Sequence, residues 1–362
     1  MDRATTSAAS TPHRSALVKR RSKSKSHRQS YRSCSGGAAS RIGLTPALTA
    51  RRLNTSRKAP KSLNITERVN AEHLALLVKT KWKLCYATPL YQFRHTMLKS
   101  YARQLSAFIV AEKQRGLAVE VEGAQNHFRA SFSVLQGLAE ADDPETILIQ
   151  IHSKPLFSSS EEPQRCVWSG WLSCINGNLD YLHSLPQGFT CLPLFGSSGT
   201  EVLTTLVKSW CQKTFDCSFG PLEINYTSLQ WFMALLTNCH TESNIQHLKM
   251  IWSIPVEPPL QVAFTVSPQD AWELWSSVRT ATRDLADPGG CIDFEEVERF
   301  TQGLKSHFYR HFRLDLSAGS LKEVSTALGG ASINGRVKIS NSRYMITTLA
   351  LLTECALLKM PI

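Results

Sequence analysis

The sequence lacks the motifs by which enzymes and metal-binding proteins are most readily recognised. Its ten cysteines form no Cys-x-x-Cys pair and none has a histidine at zinc-finger spacing, which excludes the common zinc modules. It contains neither a Gly-x-Ser-x-Gly nucleophile motif nor a Walker A lysine. No run reaches the roughly 20 apolar residues that span a bilayer, and no signal peptide is evident at the N-terminus. We therefore expect a non-enzymatic protein with no cofactor, metal, small-molecule substrate or membrane partner.

Acidic residues are almost absent from the first 62 positions. This segment holds 15 Lys or Arg and a single acid, Asp2, whereas residues 63–362 hold the other 26 basic and 28 acidic side chains. The segment is also poor in large apolar residues, so burial cannot offset the entropy lost on ordering it. We predict a disordered basic tail over residues 1–62, followed by a folded body that is close to neutral.

Three functions fit a tail of this composition. It resembles a nuclear-import signal, it suits sequence-independent binding to phosphate backbones, and it shares its Arg- and Ser-rich composition with mitochondrial transit peptides. Thr45, which precedes Pro46 and is flanked by arginines, is a candidate phosphorylation site. The candidate DNA contacts in the tail are Lys19, Arg20, Arg21, Lys23 and Lys25.

Hydrophobic periodicity predicts a mixture of helices and strands in the body. Helices and strands do not alternate strictly, which favours an α+β fold with largely antiparallel sheets flanked by helices. We divide the body into an N-terminal α+β part, residues 63–195, and a C-terminal α+β part, residues 196–362. The predicted helices include residues 67–82, 96–115, 200–214, 227–239 and 344–358, and the last three predicted strands are residues 313–317, 322–327 and 336–340.

Local signals fix several boundaries. Ser267 before Pro268 is a helix N-cap, and Asp293 caps a second helix that is acidic in its first turn. Asn334-Gly335 predicts a hairpin with a type I′ turn, which needs a positive φ at both residues. These signals are independent of any overall fold.

Three segments match part of a known functional motif but lack residues that the motif requires. Residues 289–296 resemble half of a calcium-binding loop, but the first ligand position holds leucine, so a turn before a capped helix is favoured. Residues 196–200, Gly-Ser-Ser-Gly-Thr, favour a loop and N-cap over an anion-binding loop. His307 and His311 share a helix face, but without a third ligand they indicate a helix end with Phe308 and Phe312 in the core.

Several segments together resemble one known family. They are LSAFIVAEKQRGLAVEV at 105–121, KWKLCYATPLYQF at 81–93, VWSGW at 167–171, WCQKTFDCSF at 210–219 and SHFYRHF at 306–312. These sequence segments are similar to those of the centromere protein L family of inner-kinetochore subunits, over roughly residues 65–360. The resemblance implies a nuclear scaffold at the kinetochore that pairs with centromere protein N. It also implies that the centromere-associated network of subunits binds centromeric nucleosomes and DNA.

The resemblance places the partner-binding surface in the C-terminal part. Alternating apolar residues there suit a sheet-extending interface, although ordinary sheet core explains them equally well. Arg165 is the candidate DNA contact on the folded body. Rival interpretations are a nucleic-acid-binding protein that acts alone through its basic tail, and a diverged enzyme. The partner-interface candidates are Leu314, Leu316, Val324, Val337 and Ile339.

Overall fold

The computed structural model describes residues 69–114, 128–139, 143–153, 164–238, 247–282, 292–327, 329–340, 342 and 345–360. The helices within these residues are α1 Ala71–Lys79, α2 Leu98–Gln114, α3 Leu179–Ser184, α4 Glu201–Phe215, α5 Tyr226–Asn238, α6 Pro268–Thr282, α7 Phe294–Phe312 and α8 Met345–Lys359. The strands are β1 Lys81–Ala87, β2 Leu90–Tyr91, β3 Arg129–Val134, β4 Ile147–Ser153, β5 Arg165–Ser173, β6 Phe189–Thr190, β7 Leu194–Gly199, β8 Phe219–Pro221, β9 Leu248–Ile254, β10 Leu260–Val266, β11 Ser320–Thr326, β12 Gly329–Ser332 and β13 Arg336–Ile339.

One large antiparallel sheet organises the described chain. Its eleven strands include the path β10-β9-β11-β12-β13-β1-β7-β5-β4-β3, and β8 also pairs with β1. Every pairing in the path is antiparallel. The α+β prediction with antiparallel sheets flanked by helices is therefore confirmed. The boundary that we predict between residues 195 and 196 falls inside β7, so the division of the body stays a prediction.

The two faces of the sheet pack against different cores. In β1, Trp82 and Leu84 face one core, whereas Cys85 and Ala87 belong to the other. The first core includes residues of β9, β11, β13 and helices α5 to α8. The second includes residues of α2, α4 and the strands β3, β4, β5 and β7. Because side chains alternate along a strand, neighbouring residues of β1 enter opposite cores. Each core lies between one face of the sheet and its own set of helices.

The first predicted helix ends earlier than its periodicity suggests. The helix stops at Lys79, Thr80 adopts an extended conformation with φ −95° and ψ 141°, and β1 begins at Lys81. Trp82 thus lies in a strand, and its indole Nε1 donates a hydrogen bond to the Leu77 carbonyl at 3.1 Å. The prediction of helix up to residue 82 is wrong because the alternating pattern of KWKLCYA matches a half-buried strand.

The strand predicted at residues 313–317 does not form. The helix α7 runs to Phe312 and ends at Arg313, which has a left-handed conformation with φ 57°. The side chain of Asp315 then accepts a hydrogen bond from the Ser317 amide at 2.8 Å, which is the geometry of an Asx turn. These two local features turn the chain, and the strand β11 begins only at Ser320.

Both predicted helix caps are confirmed. The Ser267 hydroxyl accepts a hydrogen bond from the Asp270 amide at 3.1 Å. Asp293 and Glu296 form a full capping box, with distances of 2.7 and 3.0 Å between the side-chain oxygens and the reciprocal amides. The Asn-Gly hairpin also forms between β12 and β13, but of that pair Gly335 alone has a positive φ, 69°. The turn is therefore not type I′.

Residues 196–199 of the predicted loop belong to the strand β7, whereas Thr200 is the N-cap of α4, as predicted. Gly196 lies in β7 between β5 and β1, and a Cβ there would overlap the indole ring of Trp171. Gly199 has a φ of +126°, and a Cβ on it would lie 2.9 Å from Trp168 Cδ1. The glycines thus let tryptophans of the neighbouring strand lie close against β7, and the loop prediction is wrong for these four residues.

Candidate nucleic-acid interface

Four cationic side chains lie close together on a solvent-exposed part of one sheet face. The β1–β13 register pairs Lys81 with Lys338 and Lys83 with Arg336. Residues directly opposite each other in a sheet point to the same face. The four side chains therefore form a two-by-two array, and all four residues are exposed. Like charges placed directly opposite destabilise a strand pair, so stability does not account for this arrangement.

Small residues form the floor of a groove around the cations. The groove has a volume of about 630 Å³. Its lining combines the four cations with serines and glycines that leave the backbone accessible, since these side chains project little. These small residues are Ser197, Ser198, Gly199, Ser325, Gly330 and Ser332.

The sheet core holds the cation array in place. Between the paired cations lie Trp82 and Val337, which are opposite each other and are 2% and 3% exposed. The Trp82 ring contacts Trp171 edge-on, with centroids 5.8 Å apart. The alternation cation–apolar–cation in both strands thus places the apolar residue in the core and both cations on the open face.

Acidic side chains neutralise only part of the positive charge of the groove. Glu201, the first residue of α4, forms an ion pair with Lys83 in which the nitrogen and carboxylate oxygen are 3.0 Å apart. Glu323 of β11 also lines the groove. With four cations against these two carboxylates, the groove keeps a net positive charge, which favours polyanions such as nucleic-acid backbones.

The structure does not place Arg165 in this groove. Arg165 is exposed at the first position of β5, where it lies opposite Ser153 of β4. The pairing of β5 with β7 starts three residues later, at Trp168. Arg165 is absent from the groove lining, and its role as a DNA contact stays a prediction.

The other DNA and modification candidates lie outside the described residues. This applies to the phosphorylation candidate Thr45 and to the calcium-loop imitation up to Cys291. It also applies to the tail cations Lys19, Arg20, Arg21, Lys23 and Lys25.

Most partner-interface candidates have their side chains in the core. Leu316, Val324, Val337 and Ile339 are 1%, 0%, 3% and 7% exposed. Leu314 differs because it follows the end of α7 and is 36% exposed. Ordinary core packing accounts for the burial of these four side chains, and their role at a partner interface stays a prediction.

An apolar surface lies beside the end of the sheet instead. The strand β10 ends the strand path and pairs only with β9 among the described residues. Leu260 at its start is 46% exposed, and Tyr309 and Phe312 near the end of α7 are 49% and 62% exposed. The Phe312 ring lies 6.2 Å from the ring of Phe264 in β10. Our expectation of Phe312 in the core is therefore wrong, whereas Phe308 is buried.

The remaining candidate chemistry is not assembled within the described residues. The rings of His307 and His311 are 4.5 Å apart, but no group of three or more potential metal ligands occurs there. No described helix is long and apolar enough to cross a membrane. Six described cysteines are buried, and burial raises the pKa of the Cys217 thiol to about 12. Such a thiol is protonated at neutral pH and is a weak nucleophile.

Sequence reasoning missed both the groove and the apolar surface at β10. The signal for the groove was present as two short segments, Lys-Trp-Lys at 81–83 and Arg-Val-Lys at 336–338. Hydrophobic periodicity places Lys81 and Trp82 at the end of a predicted helix and draws attention only to the apolar Val337 in the second segment. Their pairing across more than 250 positions cannot be deduced from either segment alone.

Comparison with known proteins identifies the family. The family model for centromere protein L matches residues 76–357. Centromere protein L of Danio rerio is 56% identical over 315 residues, which cover 87% of this chain and 84% of the relative. The Homo sapiens protein is 41% identical over 303 residues, covering 83% and 86%. The Xenopus tropicalis protein is 39% identical over 305 residues, covering 84% and 85%.

These matches place the chain among the structural proteins of the kinetochore, which lie at the centromere of chromosomes in the nucleus. The chain belongs to the centromere protein L family. The resemblance deduced from the sequence is thereby confirmed, together with the localisation that it implies.

Proposed function

We propose that the protein is a non-enzymatic scaffold subunit of the inner kinetochore. It pairs with centromere protein N and, with other subunits of the centromere-associated network, helps to bind centromeric nucleosomes and DNA during chromosome segregation. The observation that carries the DNA part of this proposal is the paired cation array of β1 and β13. Family membership supports the scaffold part.

The spacing of the array suits a phosphate backbone. Alternate residues on one strand are roughly 6.6 Å apart, and neighbouring strands are roughly 4.8 Å apart. Lysine and arginine on such a grid can neutralise successive phosphates and release their counterions. Such contacts hold the nucleic acid in position without reading the bases. Binding should therefore depend strongly on salt and weakly on sequence.

The β10 edge is the surface that we propose for centromere protein N. An edge strand offers unpaired backbone N–H and C=O groups, and a partner strand can add to them. Phe312, whose ring lies 6.2 Å from that of Phe264 in β10, would then lie at the rim of the new pairing. Tyr309 is exposed one turn earlier on α7. Leu314 follows them in sequence and remains an interface candidate. This surface lies in the C-terminal part, where the family resemblance puts the interface.

Charge reversal in β13 tests the DNA part. We expect the double variant Arg336→Glu, Lys338→Glu to lose two phosphate contacts and to flatten the plot of log K against log salt by about 2 units. At about 0.15 M salt this corresponds to a loss of roughly 30-fold in affinity. Fluorescence anisotropy with 30-base-pair duplexes of several sequences, at a series of salt concentrations, measures both quantities.

A charge-matched control separates the groove from general electrostatics. Lys99 and Arg103 are exposed on α2, and reversing both changes the net charge equally. The control should retain most of the binding. Equal losses in both double variants would contradict a dedicated groove, and a strong preference for one duplex sequence would contradict phosphate binding.

The protein alone should be poorly soluble or self-associating, because its apolar surface at β10 would be uncovered. Co-expression with centromere protein N should yield a one-to-one complex by size exclusion with light scattering. A monodisperse monomer that ignores this partner and binds DNA through its tail alone would instead support the alternative, a stand-alone nonspecific nucleic-acid-binding protein.

A further inference from the structure

Lys83 differs from the other three groove cations in its contacts. Its Nζ donates to both carboxylate oxygens of Glu201, at 3.1 and 3.0 Å. Lys81, Arg336 and Lys338 form no ion pair with any residue that the structure describes. One of the four positive charges in the groove is thus already neutralised when no ligand is bound.

The position of Glu201 explains why its carboxylate stays beside the groove. It is the first residue of α4 and follows the end of β7, whose residues Ser198 and Gly199 line the groove. The N-terminal end of a helix dipole favours a negative charge. The strand β7 is also paired directly with β1, with Ser197 opposite Lys83. The helix start therefore holds a carboxylate next to this lysine.

The contact between Lys83 and Glu201 can be exchanged for another one. The two side chains are 51% and 64% exposed, and ion pairs in water contribute little because solvent screens them. A phosphate offers Lys83 the same kind of oxygen acceptors as the carboxylate does. The bound carboxylate thus occupies the place that a nucleic-acid phosphate would take.

We propose that Glu201 is an affinity-setting residue of the groove, a counterion that occupies Lys83 and competes with phosphate for it. The proposal rests on the nucleic-acid role proposed for the groove and deepens it. In the resting protein three cations are available to a polyanion, and Lys83 joins them only when a phosphate displaces Glu201. Each encounter thus costs the exchange of one ion pair, which keeps binding weak and readily reversible.

Removing the competitor should strengthen binding by a defined amount. In Glu201→Gln, one more cation is available without exchange, so the salt slope should steepen by about 0.9. The affinity should rise about 5-fold at about 0.15 M salt and about 15-fold at about 0.05 M. A dependence of the gain on salt is itself part of the expectation.

A double-mutant cycle decides whether Glu201 acts through Lys83. Full-length wild type, Glu201→Gln, Lys83→Ala and the double variant are titrated with one 30-base-pair duplex by anisotropy. If Glu201 acts by holding Lys83, its substitution has little effect once Lys83 is alanine. If Glu201 only repels phosphates, the gain in affinity persists in that background and the proposal is overturned.

Glu323→Gln is the matched control. Glu323 also lines the groove, but no ion pair joins it to a described lysine or arginine. Its removal should raise the affinity equally with and without Lys83. Cycles of the same size for Glu201 and Glu323 would show a general charge effect and would also overturn the proposal.

A measurement without DNA separates the failure of this proposal from the failure of the proposed function. Acylation by an amine-reactive ester, followed by mass spectrometry, should label Lys83 more slowly than Lys81 in the wild type and at similar rates in Glu201→Gln. Equal rates already in the wild type would overturn the pairing. Slow labelling without DNA binding by any variant would instead overturn the nucleic-acid function, and the role of Glu201 with it.

Discussion

Truncation of Phe312 tests the apolar surface proposed for centromere protein N. Phe312 is 62% exposed, which for a phenylalanine is roughly 120 Å² of apolar area. Burial of that area stabilises a complex by at most about 3 kcal/mol. Ordering of side chains and imperfect complementarity reduce this to about 2 kcal/mol. We therefore expect Phe312→Ala to weaken the complex about 30-fold.

The control substitution is in the same helix as Phe312. Phe294 begins α7, is 39% exposed and lies about 27 Å from Phe312 along the helix axis. Isothermal titration of centromere protein N with Phe312→Ala, Phe294→Ala and the wild type compares two equivalent truncations. Near-UV circular dichroism verifies that each variant is folded. Wild-type affinity for Phe312→Ala, or equal losses for both variants, would refute the reasoning that assigns the partner to the β10 side.

Deletion of residues 1–62 should flatten the salt slope of DNA binding without changing base preference, and Arg165→Glu should weaken binding further; an unchanged slope in anisotropy titrations would contradict this. Phosphorylation of Thr45 should weaken tail binding, since a phosphate adds a charge of about −2; Thr45 that is always unmodified in mitotic phosphoproteomes would refute it. Glu296→Ala should lower the free energy of unfolding by about 2–4 kcal/mol in urea denaturation, because it breaks a capping box with a fully buried carboxylate. The exposed neighbour Glu295→Ala should cost less than about 0.5 kcal/mol in the same experiment.

Local chemistry allowed the helix caps and most strands to be predicted. Ser267 and Asp293 cap their helices through hydrogen bonds that span three residues, so each signal is complete within a short segment. The end of α1 was missed because Trp82 follows Val78 by four residues, a spacing that suits a helix. The strand becomes clear only when Leu84 and Ala87 are assigned to opposite faces. Tertiary pairing settles such ambiguities, and local periodicity does not.

The exposure of Phe312 shows a second limit of sequence patterns. Phe308 and Phe312 are one helical turn apart and their rings are 4.8 Å apart, so periodicity gives them the same face. Yet Phe308 is 4% exposed, whereas Phe312 is 62% exposed. The Phe308 ring lies 4.7 Å from the ring of Phe264 in β10, whereas the ring of Phe312, the last residue of α7, lies 6.2 Å from it. How closely each turn of a helix packs against a neighbouring strand is a property of the assembled fold.

The two proposed binding surfaces should be separable, because they use different parts of one sheet. The cations of β1 and β13 stand on the open face, and three strands, β12, β11 and β9, lie between β13 and the edge strand β10. That distance is roughly 20 Å at about 4.8 Å per strand, which is beyond the Debye length of about 8 Å at physiological salt. Charge reversal at Arg336 and Lys338 should therefore leave the affinity for centromere protein N unchanged. Phe312→Ala should in turn leave the salt slope of DNA binding unchanged when the partner is saturating. Coupled losses in both assays would mean that the partner itself completes the groove.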